Sequence, residues 1–293
     1  MFVNTLIGIS SRININKSMP FIFLAIIHFL LLGVTFYKKG NKTFSLLFIS
    51  IGIGYVFEYF VLNVFKMYKY NPNIFKNKWI DSVFGALLSQ SVYIPISATI
   101  LTMFKLGWKW RIVAASIYGV IERLFIHWGI YKNKTWSTFL TITAMPIYFY
   151  IVAKWWDDVL NGERVKIYIS IFFGYWISYT NILYFCLVLF KKYRFQIGIL
   201  KEKYWEHFIL VPIYTCISAI IGSVNTIYSS QESKWKGLLV LHAFDRVLFK
   251  YKVIKPSTKF NLYSLIPIHL FVLFFGENIK SRLNDYVAIR DNQ

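Results

Sequence analysis

The sequence predicts an all-α, polytopic transmembrane helix bundle of about nine spans, and three observations predict it. Hydrophobic residues make up 57% of the chain and charged residues only 16%, whereas a soluble domain carries about a quarter charged residues. The apolar residues fall in blocks near 20 residues, the length that crosses roughly 30 Å of hydrocarbon at about 1.5 Å per residue. Trp79, Trp108, Trp110, Trp128, Trp136, Trp155, Trp156, Trp205 and Trp235 fall at or near the ends of those blocks, where an amphipathic ring sits at headgroup level.

Apolar runs read against charged breaks place the spans at 19–37, 43–65, 83–104, 111–129, 136–153, 167–190, 207–228, 237–251 and 260–276. The first is long enough to span and has no small-residue cleavage site after it, so it reads as a retained anchor. The second ends after Glu58, and the third carries Gln90 and Pro95. The fourth contains Glu122-Arg123, and Pro146 interrupts the fifth. The sixth runs into Lys191-Lys192, and the seventh contains Pro212. The eighth is short and holds His242, Asp245 and Arg246, which hydropathy alone rejects. Pro267 and His269 lie in the ninth. A proline within a span removes an N–H donor and frees a carbonyl.

An internal repeat rescues the eighth segment. Gly54-Tyr55 and Tyr59 match Gly174-Tyr175 and Tyr179, and residues 74–79 match 199–204. Asp81 then meets Glu206, Glu122-Arg123 meets Asp245-Arg246, and Pro146-Ile147 meets Pro267-Ile268. The resulting organisation is an N-terminal anchor helix and loop (1–42), a first four-helix repeat (43–155) and a second (156–293). An even number of crossings per unit makes the repeats parallel.

The net charge of +20 would suggest nucleic acid in a soluble protein. Here the lysines lie in short loops, as in Lys38-Lys39 and Lys76-Asn77-Lys78, which points to a bilayer with anionic headgroups and to no nucleic acid. Slightly more lysine and arginine falls on the side of the N-terminus, which predicts a cytoplasmic N-terminus. Cys186 and Cys216 lie in apolar segments without metal or redox spacing and read as packing residues. No cofactor motif is present: the chain lacks a Walker loop, HExxH and a Ser/His/Asp set.

Glu122, Arg123, Asp245 and Arg246 are the sharpest candidates, because an ionisable group inside a span is costly unless paired or wet. Neighbours on a helix diverge by about 100°, so partners are expected from another helix. Parallel repeats permit Glu122 to pair with Arg246 and Asp245 with Arg123, clamping the repeats together. Alternatively the arginines face a cavity and hold a phosphate or carboxylate, or they snorkel to the interface.

Glu58 is a lone carboxylate whose repeat counterpart is Ser178. It is either hydrogen-bonded in neutral form or used to bind a cation or relay a proton. Gln90, Asn181, Asn225 and His269 read as helix-to-helix hydrogen-bonding groups. Asp81 and Glu206 open the third and seventh segments, where a carboxylate complements the helix N-terminus. Asp157-Asp158 lacks the third aspartate and the second aspartate-rich loop of prenyl-transferring enzymes.

Tyr70-Asn71-Pro72, Asp81, Gly85, Ser89-Gln90, Pro95, Trp108, Glu122, Gly129-Ile130-Tyr131, Trp136, Thr138 and Trp155 resemble uncharacterised multi-pass membrane proteins of spore-forming bacteria. The resemblance covers roughly residues 70–155. It implies a bacterial cell membrane and a polar set at Asp81, Gln90 and Glu122, and no reaction.

The functional expectation is a non-enzymatic membrane protein that binds or transports a small amphiphilic or anionic ligand between two helical repeats. Its site would draw on Glu58, Gln90, Glu122, Arg123, Asp245 and Arg246. The alternatives are a structural or sensory membrane component with purely structural ion pairs, and a lipid-modifying enzyme using Glu58 or Glu122 as general base.

Overall fold

The computed structural model describes residues 15–190, 193–228, 234–256 and 261–291. Among these residues the backbone forms nine helical rods and two short antiparallel ribbons. Helix α1 is Ile15–Lys39. Helix α2 is Lys42–Glu58 and continues as a π-helical turn over Tyr59–Val64. Helix α3 comprises Lys78–Leu87, a π turn over Leu88–Tyr93, and Ile94–Met103. Helices α4 (Trp108–His127), α5 (Thr138–Leu160), α6 (Arg164–Phe190), α7 (Lys203–Tyr228), α8 (Lys234–Lys250) and α9 (Ile266–Asp291) follow. Each of the nine predicted segments is therefore helical, including the short eighth.

Six of these rods, α1, α2, α3, α6, α7 and α9, are long and apolar enough to cross a membrane. The chain is a helical, membrane-embedded protein, and the expected nine crossings exceed those six by α4, α5 and α8. Those three carry charge along their length, as with Glu122-Arg123, Lys154 and Asp245-Arg246.

The chain forms two compact units that meet in sequence at Asn161 and Gly162. In the N-terminal unit α1 packs against the other helices. Ser18 donates to the Pro72 carbonyl at 2.7 Å, and the Tyr93 hydroxyl donates to Phe21 O at 2.8 Å. His28 Nε2 lies 2.9 Å from the Tyr118 hydroxyl.

Strands β1 (Tyr68–Tyr70) and β2 (Tyr131–Asn133) pair in antiparallel register, Tyr68 with Asn133, Lys69 with Lys132 and Tyr70 with Tyr131. This ribbon sits where α2 and α4 end and α3 and α5 begin. Strand alternation sends Tyr68 and Tyr131 into the core and leaves Lys132 exposed. Gly85 lets β1 lie on α3, since a Cβ there would come 2.4 Å from the Tyr70 Cβ.

Local chemistry explains the breaks between elements. Asn77 caps α3 by accepting from the N–H groups of Trp79 and Ile80 at 2.9 and 3.1 Å. Asp81 is not itself the cap. Its buried carboxylate reaches back to accept from the N–H groups of Asn73, Ile74 and Phe75 at 2.7–2.9 Å, which pins the loop after β1. Helix α4 ends in a Schellman motif: Gly129, at φ +67°, donates to Ile126 O and Ile130 donates to Phe125 O, both at 3.0 Å. Pro95 cannot donate to the Ser91 carbonyl and crowds it, and the turn before it widens to the π form.

The C-terminal unit runs helix, strand, helix, helix, strand, helix. Its ribbon pairs β3 (Tyr193–Phe195) with β4 (Ile254–Pro256). Glu206 accepts from the N–H groups of Ile197, Gly198 and Ile199 at 2.7–3.2 Å. Helix α8 closes with Lys252 at φ +56°, Lys252 donating to Phe249 O and Val253 to Leu248 O.

Candidate functional site

Within the N-terminal unit, helices α1 to α5 and the ribbon line a cavity of about 350 Å³. Its surface is almost entirely apolar, and nine of its lining residues are aromatic, six of them tyrosines. Such dimensions lie in the range of small-molecule sites. Three lining side chains, Phe57 of α2 and Ile147 and Ile151 of α5, are exposed, so the cavity is open on that flank.

Most of the lining tyrosines have their hydroxyls tied back into the protein. Tyr148 donates to Ser50 O at 2.8 Å, Tyr118 bonds His28 and Ser97 at 2.9 Å, and Tyr93 bonds Phe21 O. Tyr68 donates to Glu58. What these residues offer the cavity is aromatic surface. On the ribbon, Tyr70 and Tyr131 pack with ring centroids 4.8 Å apart. Burial raises the pKa of Tyr68, Tyr70 and Tyr131 well above the ordinary phenol value, and the nearby Glu58 carboxylate adds to the effect.

Glu122, near the end of α4, is the carboxylate that lines the cavity. Asn133 Nδ2 at 3.2 Å and Thr138 Oγ1 at 2.8 Å donate to its Oε1, and Thr141 Oγ1 donates to Oε2. Trp136 Nε1 donates to Thr141 Oγ1 at 2.8 Å, which fixes the direction of that chain: indole to threonine to glutamate. Glu58 stands one layer behind the lining. It is 8% exposed, its Oε2 accepts from Tyr68, and its Oε1 has no donor in hydrogen-bond geometry. The Gln90 side chain lies beside the same carboxylate and lines the cavity. Gly54 makes room for it, since a Cβ there would lie 3.3 Å from Gln90 Oε1.

Among the described residues, no lysine, arginine or histidine lies within ion-pair distance of Glu58 or Glu122. Among the described residues no lysine or arginine lines the cavity.

In the C-terminal unit the fully buried Asp245 accepts from the Tyr214 hydroxyl at 2.7 Å and contacts His269 Nε2 at 2.7 Å. Against a carboxylate Nε2 is the donor, and His269 Nδ1 meets the Tyr179 hydroxyl at 3.1 Å. Tyr175 is fully buried beside two glycines: a Cβ at Gly222 or Gly276 would come within 2.6 or 2.0 Å of its ring.

Of the candidates drawn from the sequence, the fold puts Gln90 and Glu122 in the cavity lining and Glu58 one layer behind it. Arg123 and Arg246 are exposed on their helices, and among the described residues Arg246 reaches the Tyr263 hydroxyl at 3.5 Å. Hydroxyl, amide and imidazole groups of the same unit hydrogen-bond Glu122 and Asp245. Within its own unit and among the described residues, neither Glu122 nor Asp245 has an arginine within ion-pair distance. Asp158 pairs with Lys154 at 2.8 Å. Sequence reasoning passed over Tyr68 and Thr141, and it singled out Tyr131, Trp136 and Thr138 without placing them in a site. The signal available was the period-2 alternation of Tyr68-Lys69-Tyr70 and Tyr131-Lys132-Asn133.

No protein-family model, curated protein or solved structure matches the chain.

Proposed function

We propose that this protein is a non-enzymatic multi-pass membrane protein that holds a small amphiphilic molecule in the cavity of its N-terminal unit. The observation that carries this reading is the cavity itself: apolar walls, an open flank at Phe57, Ile147 and Ile151, and a polar corner at Glu122 and Gln90. An apolar tail gains by leaving water or headgroups for such walls, while a few placed polar groups orient the other end. With no lysine or arginine in the lining, an amphiphile fits better than the anion also expected from the sequence.

The same reading takes all nine helices as crossings of a bacterial cell membrane, with a cytoplasmic N-terminus and lysine-rich loops against anionic headgroups. It takes the two units as repeats, supported by their shared element order, by the backbone-pinning pair Asp81 and Glu206, and by the matching Schellman ends of α4 and α8.

The test places a cysteine at Ala144, which lines the cavity, in a chain whose Cys186 and Cys216 are replaced by alanine. Octanol should slow alkylation of Ala144→Cys by N-ethylmaleimide several-fold. It should leave unchanged a cysteine at Phe23, which is 63% exposed on α1. An octanol-independent rate at position 144 would end the proposal.

A further inference from the structure

The geometry points to an organic ammonium, an amine or quaternary ammonium bearing a short apolar tail, as the occupant of this cavity. The inference rests on the cavity being a binding site, and it names the ligand's charge.

One carboxylate, Glu122, lines the cavity without a counter-ion among the described residues of its own unit. Glu122 faces the cavity, and Glu58 lies behind Tyr68 and Gln90; among the described residues neither has a cationic partner. Every donor to Glu122 is neutral: the Asn133 amide and the hydroxyls of Thr138 and Thr141. These orient the carboxylate and leave its charge uncompensated. A half-buried acid facing apolar walls without an opposite charge is costly, and a bound cation would supply what the described residues of this unit do not.

The walls match that charge. Aromatic rings attract a cation through their negative faces, most strongly when water is excluded, and ammonium groups are held this way in aromatic cages. Tyr118, Tyr131 and Tyr148 line the cavity, as does Trp136, whose indole also braces Thr141 against Glu122. Their apolar surface equally suits the tail.

Other occupants fit less well. A phosphate or carboxylate would meet Glu122 and no lysine or arginine. A bare calcium or magnesium ion needs about six oxygen ligands, whereas the lining is almost entirely apolar. Long-range attraction does not explain a preference for cations either, because the chain carries a net charge of +20 and would draw in anions.

The experiment titrates the full chain, in nanodiscs of zwitterionic phosphatidylcholine, with three probes of one tail length: octyltrimethylammonium, octanol and octanesulfonate. The ammonium should bind at least about tenfold more tightly than octanol, and the sulfonate no better than octanol. Glu122→Gln should bring the ammonium-to-octanol ratio toward one. The wild-type ranking decides the matter even if that variant fails to fold. Octanol bound as tightly as the ammonium would overturn the cation inference and leave the cavity reading standing. Binding of none of the three would remove the cavity reading itself.

Discussion

Thr138, in the first turn of α5, donates a hydrogen bond to Glu122 of α4 across 2.8 Å, and Thr141 does the same to the other carboxylate oxygen one turn later. The register of α4 against α5 thus depends on one acid and two hydroxyls. Thr141 also accepts from the Trp136 indole, so Thr141→Val strands a donor and an acceptor together. The expected loss is about 1–3 kcal/mol, more than for Thr138→Val, read as a lower midpoint of thermal unfolding in detergent. Combined with Glu122→Gln, the loss should be less than additive, because the three groups act as one network.

Gly85 and Gly276 are expected to tolerate no side chain. A Cβ at Gly85 would lie 2.4 Å from the Tyr70 Cβ, and one at Gly276 would lie 2.0 Å from the Tyr175 ring. Each alanine variant should lose about 1–3 kcal/mol by overpacking. Gly33 of α1 has nothing within 4 Å, and Gly33→Ala should be neutral or gain about 0.5–1 kcal/mol from helix propensity. The three midpoints, measured side by side, separate packing from propensity.

In the C-terminal unit, His269→Phe should be among the most damaging single changes. It leaves the fully buried Asp245 with Tyr214 as its one described donor and cuts the contact to Tyr179. Leaving a buried carboxylate short of a hydrogen-bond donor costs about 1–3 kcal/mol or more. Replacing both members, as Asp245→Leu with His269→Phe, should recover part of that loss in the same unfolding assay.

The ribbon tyrosines predict an alkaline limit to stability. Burial, with the Glu58 carboxylate adding to it, raises Tyr68, Tyr70 and Tyr131 above the unfolded phenol value of about 10. A group raised on folding stabilises fully below its unfolded pKa and loses that contribution as pH climbs toward the folded one. The unfolding midpoint should therefore hold steady to about pH 10 and fall beyond it. Tyr131→Phe should make the fall shallower.

The helices were legible in the sequence because a bilayer constrains them harshly: every backbone group must pair internally over a fixed apolar length. Even the short eighth segment emerged, from the match of Asp245-Arg246 to Glu122-Arg123. The partners of those acids were not legible. Tyr214, His269, Thr138 and Thr141 lie on other helices or other turns, and a hydroxyl in an apolar run carries no mark of which acid it will meet. The ribbons were missed because a period-2 alternation only three residues long, as in Tyr68-Lys69-Tyr70, does not stand out from a polar loop. With them went the tyrosines that join Glu58 to the cavity. The π turns at Tyr59–Val64 and Leu88–Tyr93 left only Pro95 as a trace.

Photoaffinity labelling tests the central claim most directly. A diazirine-bearing octanol, activated on the membrane-embedded chain and mapped by peptide mass spectrometry, should place its adducts on cavity residues of α2, α4 and α5, foremost Phe57, Tyr118 and Met145. Adducts confined to outward apolar side chains such as Phe23 and Leu30 of α1, which are 63% and 67% exposed, would contradict it.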